Sequence, residues 1–178
     1  MRCLPPLAAL ALAALTLAAC VAPQPTTSPP TPPPAAAAPA PAPAAPIPSW
    51  QDGPVAPGIW RWERDARGSV AMFGVVGELA RFVVRCDAAE RRISLTLPGE
   101  VAAGATLTIQ TSDGTRTLPA AATGAQPAYA GAALPAGDGF LDRIAFSRGR
   151  FRVQLSDHPP IVVPAWPEFA RTIEDCRG

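Results

Sequence analysis

From Gly58 onward, apolar and polar residues alternate in short runs. This is the period-two pattern of strands with one face buried. "GIWRWER" (58–64) puts Trp60 and Trp62 on one face. "SVAMFGVV" (69–76) follows a turn at Arg67-Gly68, and "ARFVVRC" (80–86) aligns Phe82, Val84 and Cys86. In "RRISLTLP" (91–98) Ile93, Leu95 and Leu97 face in while Arg92, Ser94 and Thr96 face out. "ATLTIQTS" (105–112) pairs Leu107 with Ile109, and Asp113-Gly114 reads as a hairpin turn into "TRTLPA". The Ala/Gly-rich stretch 120–137 predicts only a weak strand around Tyr129. "RFRVQL" (150–155) and "PIVVPAW" (160–166) bracket a turn at Asp157-His158-Pro159-Pro160. The spacing predicts a mainly β fold, an antiparallel β-sandwich or partly closed barrel.

Two segments switch to a helical period. "DGFLDRIAFS" (138–147) offers Asp138 as N-cap and Leu141, Ile144 and Ala145 as an apolar side. The second helix, near 167–176, has Pro167 at its first position and Glu168 in its first turn. Phe169, Ile173 and Cys176 fall on one stripe. A helix of about ten residues is marginal in isolation, so this one must dock through its stripe.

Composition divides the chain at Trp50. Residues 50–178 carry the charges, aromatics and alternation, enough for one globular β-rich domain. Residues 21–49 carry no charge and a proline every two or three positions, a composition that predicts a disordered, extended tether. At ~3.1 Å per residue in polyproline II its reach is on the order of 90 Å. It reads as a spacer; a proline-rich peptide recognised by a partner is the alternative.

Residues 1–19 change the picture further. Arg2 precedes an apolar run over 4–19 that is short for a membrane span. The run ends in Leu17-Ala18-Ala19-Cys20, which resembles the lipobox of bacterial lipoproteins. The resemblance implies a lipoprotein signal peptide, acylation of Cys20, a lipid membrane as partner, and a periplasm-facing position in the cell envelope. Val21 stands where enterobacterial inner-membrane lipoproteins have Asp, which favours the outer membrane. The stretch from "FLDRIAFSRGRFRV" to "PAWPEFARTIEDC" is similar to uncharacterised exported proteins and lipoproteins of alphaproteobacteria. That second resemblance implies an envelope location and assigns no activity.

Export bears on the four cysteines. With Cys3 removed alongside the signal and Cys20 acylated, Cys86 and Cys176 remain in an oxidising compartment. Both lie on apolar stripes, so a Cys86–Cys176 disulfide is expected to staple the last helix to the sheet. A redox pair or metal ligands are the alternatives. The chain has no CxxC and one histidine, which disfavours zinc.

Charge and candidate chemistry narrow the function. Fifteen basic against fourteen acidic residues argue against nucleic acid as a partner. Every basic residue is arginine. That is the mark of a GC-rich genome or of bidentate anion contacts. His158 lies in a turn beside Asp157, and Ser147 lacks a nucleophile-elbow setting, so no catalytic residue is assigned. Asp138 and Asp142 read as helix-terminal carboxylates rather than an acid–base pair. Arg150 and Arg152 project from one strand face if Phe151 points inward, with Arg143 and Arg148 just upstream. With Trp166 exposed nearby, these residues form a candidate site for a carboxylate or phosphate. Peptidoglycan, lipopolysaccharide or an acidic envelope protein are the candidate partners. No cofactor or metal is implied. The leading expectation is a membrane-anchored, non-enzymatic binding or structural module on a proline-rich tether. A periplasmic inhibitor of a hydrolase such as lysozyme, or an envelope hydrolase, are the alternatives.

Overall fold

The computed structural model describes residues 49–178. The expected signal peptide, Cys20 and, apart from Ser49, the expected tether lie outside the described residues. The alternating runs become ten strands. They are β1 (Ile59–Asp65), β2 (Gly68–Gly74), β3 (Phe82–Asp87), β4 (Arg92–Pro98), β5 (Thr106–Thr111), β6 (Gly114–Pro119), β7 (Ala121–Ala122), β8 (Tyr129–Pro135), β9 (Arg150–Leu155) and β10 (Ile161–Pro164). The helices are α1 (Gly139–Ala145) and α2 (Pro167–Arg177).

The strands form two antiparallel sheets. The larger has the order β1-β2-β3-β4-β8-β7 and the smaller β10-β9-β5-β6. Among the described residues the architecture is sandwich-like, with no closed barrel. One face of each sheet supplies the core. Ala71, Phe73, Phe82, Val84, Ile93 and Leu95 come from the larger sheet, and Leu107, Ile109, Phe151, Val153 and Leu155 from the smaller. Phe82 and Phe151 meet edge-on across the gap, with ring centroids 5.8 Å apart. Such a pair contributes about 0.5–1.5 kcal/mol beyond its buried area.

Helix α2 docks on the core face of the larger sheet, against β1 to β4. Phe169 and Ile173 are buried there, and Phe169 packs against both Trp60 and Phe151. Trp60 spans the sheets in another way: its indole N–H donates to the Pro164 carbonyl at 2.9 Å. Cys176, in the last turn of α2, is joined to Cys86 of β3 by a disulfide, with Cα atoms 5.4 Å apart. That separation lies within the ordinary disulfide range.

The main departure from the sequence reading is β8. It is a full seven-residue strand paired along β4 from Tyr129↔Pro98 to Pro135↔Arg92. Its low β-propensity sequence, "YAGAALP", is explained by proximity. A Cβ on Gly131 would lie 1.9 Å from the Leu95 carbonyl oxygen. Small residues are required where two backbones approach this closely.

Candidate functional site

Phe151, Val153 and Leu155 point into the core, so Arg150, Arg152 and Gln154 project from the outer face of the smaller sheet. Register places Gln110 beside Arg152, and Thr108 between Gln154 and Thr117. Arg152 donates through Nη1 to Gln110 Oε1 at 2.6 Å, and through Nη2 to Gln154 Oε1 at 3.4 Å. The Thr108 and Thr117 hydroxyls are 3.0 Å apart. Arg150 donates to the Gly53 carbonyl at 2.8 Å. These acceptors are neutral, so they orient the guanidinium groups and leave their charge uncompensated.

The other members of the cluster surround one end of this face. The Arg148 amide donates to Ser112 Oγ at the turn between β5 and β6. Arg143, on α1, lines a hollow of about 340 Å³ with Thr115, Arg116 and Asp138. Trp166 is 43% exposed and follows Ala165, whose amide donates to the Gly149 carbonyl. Phe146, 73% exposed, closes α1 three residues before Gly149. The structure thus brings Arg148, Arg150 and Trp166 to one corner. Arg152 lies further along the strand face and Arg143 beyond the sheet edge. Nothing in the sequence marked Phe146; its place at a helix C-cap, off the apolar side of α1, is the signal that could have found it.

Six arginines have carboxylate partners within 4.0 Å: Arg64, Arg67, Arg85, Arg92, Arg116 and Arg177. Among the described residues, Arg143, Arg148, Arg150 and Arg152 have none. Arg61, Arg81, Arg91 and Arg171 also lack one, although Arg171 stacks over the Trp62 ring and Arg91 donates to the Arg177 carbonyl.

Ser147, Asp138, Asp142 and His158 each make hydrogen bonds within the fold. Ser147 is buried; its hydroxyl accepts from the Ser112 amide and donates to the Arg150 carbonyl. Asp138 caps α1 by accepting from the Phe140 amide and holds Arg116 through both carboxylate oxygens. Partial burial pushes its pKa up, but the Phe140 amide and the Arg116 guanidinium outweigh that and hold it below the usual aspartate range. Asp142 forms a two-pronged ion pair with Arg177, which links α1 to the end of α2. His158 follows Asp157, which has positive φ, and its Nδ1 lies 2.9 Å from the Ser156 carbonyl. Its ring is half-buried against Gly99. Among the described residues, no group of three His, Cys, Asp or Glu could hold a metal ion, and no helix is long and apolar enough to cross a membrane.

A second surface was not legible in the sequence. The outer face of the larger sheet bears a cleft of about 650 Å³, open to solvent. Met72, Val83 and Thr96 are cross-strand neighbours on its floor, with Arg61 opposite Met72 on β1. Tyr129 forms a wall: its hydroxyl reaches from β8 to donate to the Ala80 carbonyl at 2.7 Å. Burial raises the Tyr129 pKa above the ordinary phenol value, so this hydroxyl keeps its proton at neutral pH. Arg85, also lining the cleft, pairs with Asp65 at 2.6 Å. That contact, with the Arg67 amide, holds the Asp65 carboxyl below its usual range. Arg67, at the rim, is held by Asp87.

Compared with known proteins, the chain matches no family model, no curated protein and no solved structure.

Proposed function

We propose that this protein is a lipid-anchored module of the bacterial cell envelope. Its disulfide-stapled β domain, held off the membrane by a proline-rich tether, binds a carboxylate- or phosphate-bearing envelope component. The lipobox-like Leu17-Ala18-Ala19-Cys20 and the uncharged proline-rich segment support the anchor and the tether. A disulfide between the domain's two cysteines accords with a non-reducing compartment. The observation that carries the binding reading is the outer face of the smaller sheet. Arg150 and Arg152 stand there on a polar carpet of Thr and Gln side chains, with neutral partners only. A planar guanidinium with free N–H donors recognises carboxylate or phosphate through paired hydrogen bonds.

Co-sedimentation with purified peptidoglycan tests this reading. Retention is expected to fall at least tenfold in the Arg150→Ala/Arg152→Ala double variant. It is also expected to weaken as salt is raised, because exposed charges are screened beyond about 10 Å at 0.1 M. Equal retention of the double variant would remove the arginine face as the binding surface. The anchor is tested separately: radiolabelled palmitate should enter the wild-type chain and not the Cys20→Ser chain.

A further inference from the structure

The cleft on the outer face of the larger sheet has two chemically distinct parts. One is apolar. Met72 and Val83 line its floor, and Leu79, 56% exposed, stands at its side among residues that wrap back toward β3. The other is cationic and centres on Arg61. This side chain is half-buried, and its Nε is buried without a hydrogen-bond partner. Among the described residues no carboxylate lies within 4.0 Å of its guanidinium, whereas Arg85 and Arg67 beside it are each paired with an aspartate. A buried donor without a partner carries a desolvation cost that a suitable acceptor would remove. Arg67 and Arg85 are neutralised by Asp87 and Asp65, so Arg61 is the cleft arginine without a carboxylate partner among the described residues, and the selection of an anion rests on it. The volume falls within the range of small-molecule sites, which combine apolar walls with a few fixed polar groups.

We propose that this cleft binds a small single-chain amphiphile with an anionic head. Arg61 receives the head through its terminal Nη groups, and Met72, Val83 and Leu79 contact the apolar chain. Thr96 on the floor adds a polar contact without adding charge. The site is distinct from the arginine face of the smaller sheet. The two lie on opposite outer surfaces of the sandwich, and either can fail without the other.

The test is a fluorescence titration with 11-(dansylamino)undecanoic acid below its micelle concentration. The full chain would carry Cys20→Ser, so that no attached acyl group competes. Saturable one-to-one binding is expected. Laurate should displace the probe. Butyrate, which has the head without the tail, and dodecyltrimethylammonium, which has the tail with the opposite charge, should not. Arg61→Gln is expected to weaken the probe at least tenfold, and Met72→Trp, which fills the floor, should abolish binding. Thermal unfolding checks that both variants fold. A wild-type chain without saturable binding overturns the proposal whether or not the variants fold. So does equal displacement by the cationic amphiphile, or unchanged affinity in a folded Arg61→Gln chain.

Discussion

Gly131 faces the Leu95 carbonyl so closely that a methyl group there would overlap the backbone of the next strand. Backbone cannot rotate away as a side chain can, so β4 and β8 would have to separate. Gly131→Ala is therefore expected to cost about 3 kcal/mol, the upper end of ordinary overpacking, read as a lower urea midpoint. A second expectation concerns charge. Asp138 is partly buried, and the Phe140 amide and Arg116 hold its pKa below the usual value near 3.9. A carboxylate with a depressed folded-state pKa contributes stability that is fully present above the unfolded value. That contribution is lost as pH falls through the folded one. Asparagine keeps the cap and removes the charge. The stability gap between wild type and Asp138→Asn should thus be constant from pH 5 to 7 and shrink as the pH drops below 4. Urea unfolding across that range checks it, and a gap that grows in acid would contradict the Arg116 pairing. His158 shows what single residues hide. Its sequence context gave the turn correctly, but the ring packs on Gly99, whose φ of +146° and missing Cβ make room for it. No local pattern links two positions so far apart in the chain.

Helix α2 depends on its dock. Its eleven residues are too few for independent stability. Phe169 and Ile173 bury its stripe, the disulfide ties its last turn to β3, and Arg177 reaches Asp142 and the Ala136 carbonyl. Phe169→Ala should cost about 3–5 kcal/mol, because Trp60 and Phe151 both lose a partner. Replacing both cysteines should cost up to about 4–5 kcal/mol by the chain-entropy account of a loop this long. Under native conditions, amide hydrogen exchange in α2 should rise more than in β4. Uniform acceleration through both elements would mean that the bond acts through the unfolded chain alone and does not also hold this helix in place. The sequence made these elements readable wherever one face was buried and the other wet. The strand at 150–155 and the docked stripe of the last helix were both written in their periodicity. Strand β8 was under-read because its residues are small for packing reasons, and propensity cannot distinguish a close approach from a loose loop. The choice between sandwich and partly closed barrel likewise depended on which strands pair at a distance. That fixes an open sheet edge at β7, and alternation is silent about it.

At the scale of the molecule, the described domain presents two unlike outer surfaces from one core. The face of the smaller sheet was visible in advance because Arg150 and Arg152 sit on a single strand, where alternation alone assigns their direction. The cleft was not, because β1, β2, β3, β4 and β8 each contribute only one or two lining residues, and only strand order brings Arg61, Met72, Val83, Thr96 and Tyr129 together. The rigid layer between the surfaces has a consequence for how the sites interact. Close-packed side chains such as Phe82 and Phe151 join the sheets, and the disulfide and α2 fasten the same layer. A ligand on one side couples to the other only if the core has a second packing arrangement to which both sites respond. Among the described residues no ion pair or hydrogen bond links Arg61 to Arg152, so their effects should be independent. Substitutions at well-separated sites with no shared partner add within about 0.3–0.5 kcal/mol. Combining Arg61→Gln with Arg150→Ala/Arg152→Ala should therefore leave each ligand's loss where the separate variants put it. Peptidoglycan retention should follow the smaller-sheet arginines alone, and dansyl-acid affinity should follow Arg61 alone. Measuring both ligands on all three chains decides the matter. A cross-effect above threefold would mean that the two sheets move against each other, and the core would then be the element to examine.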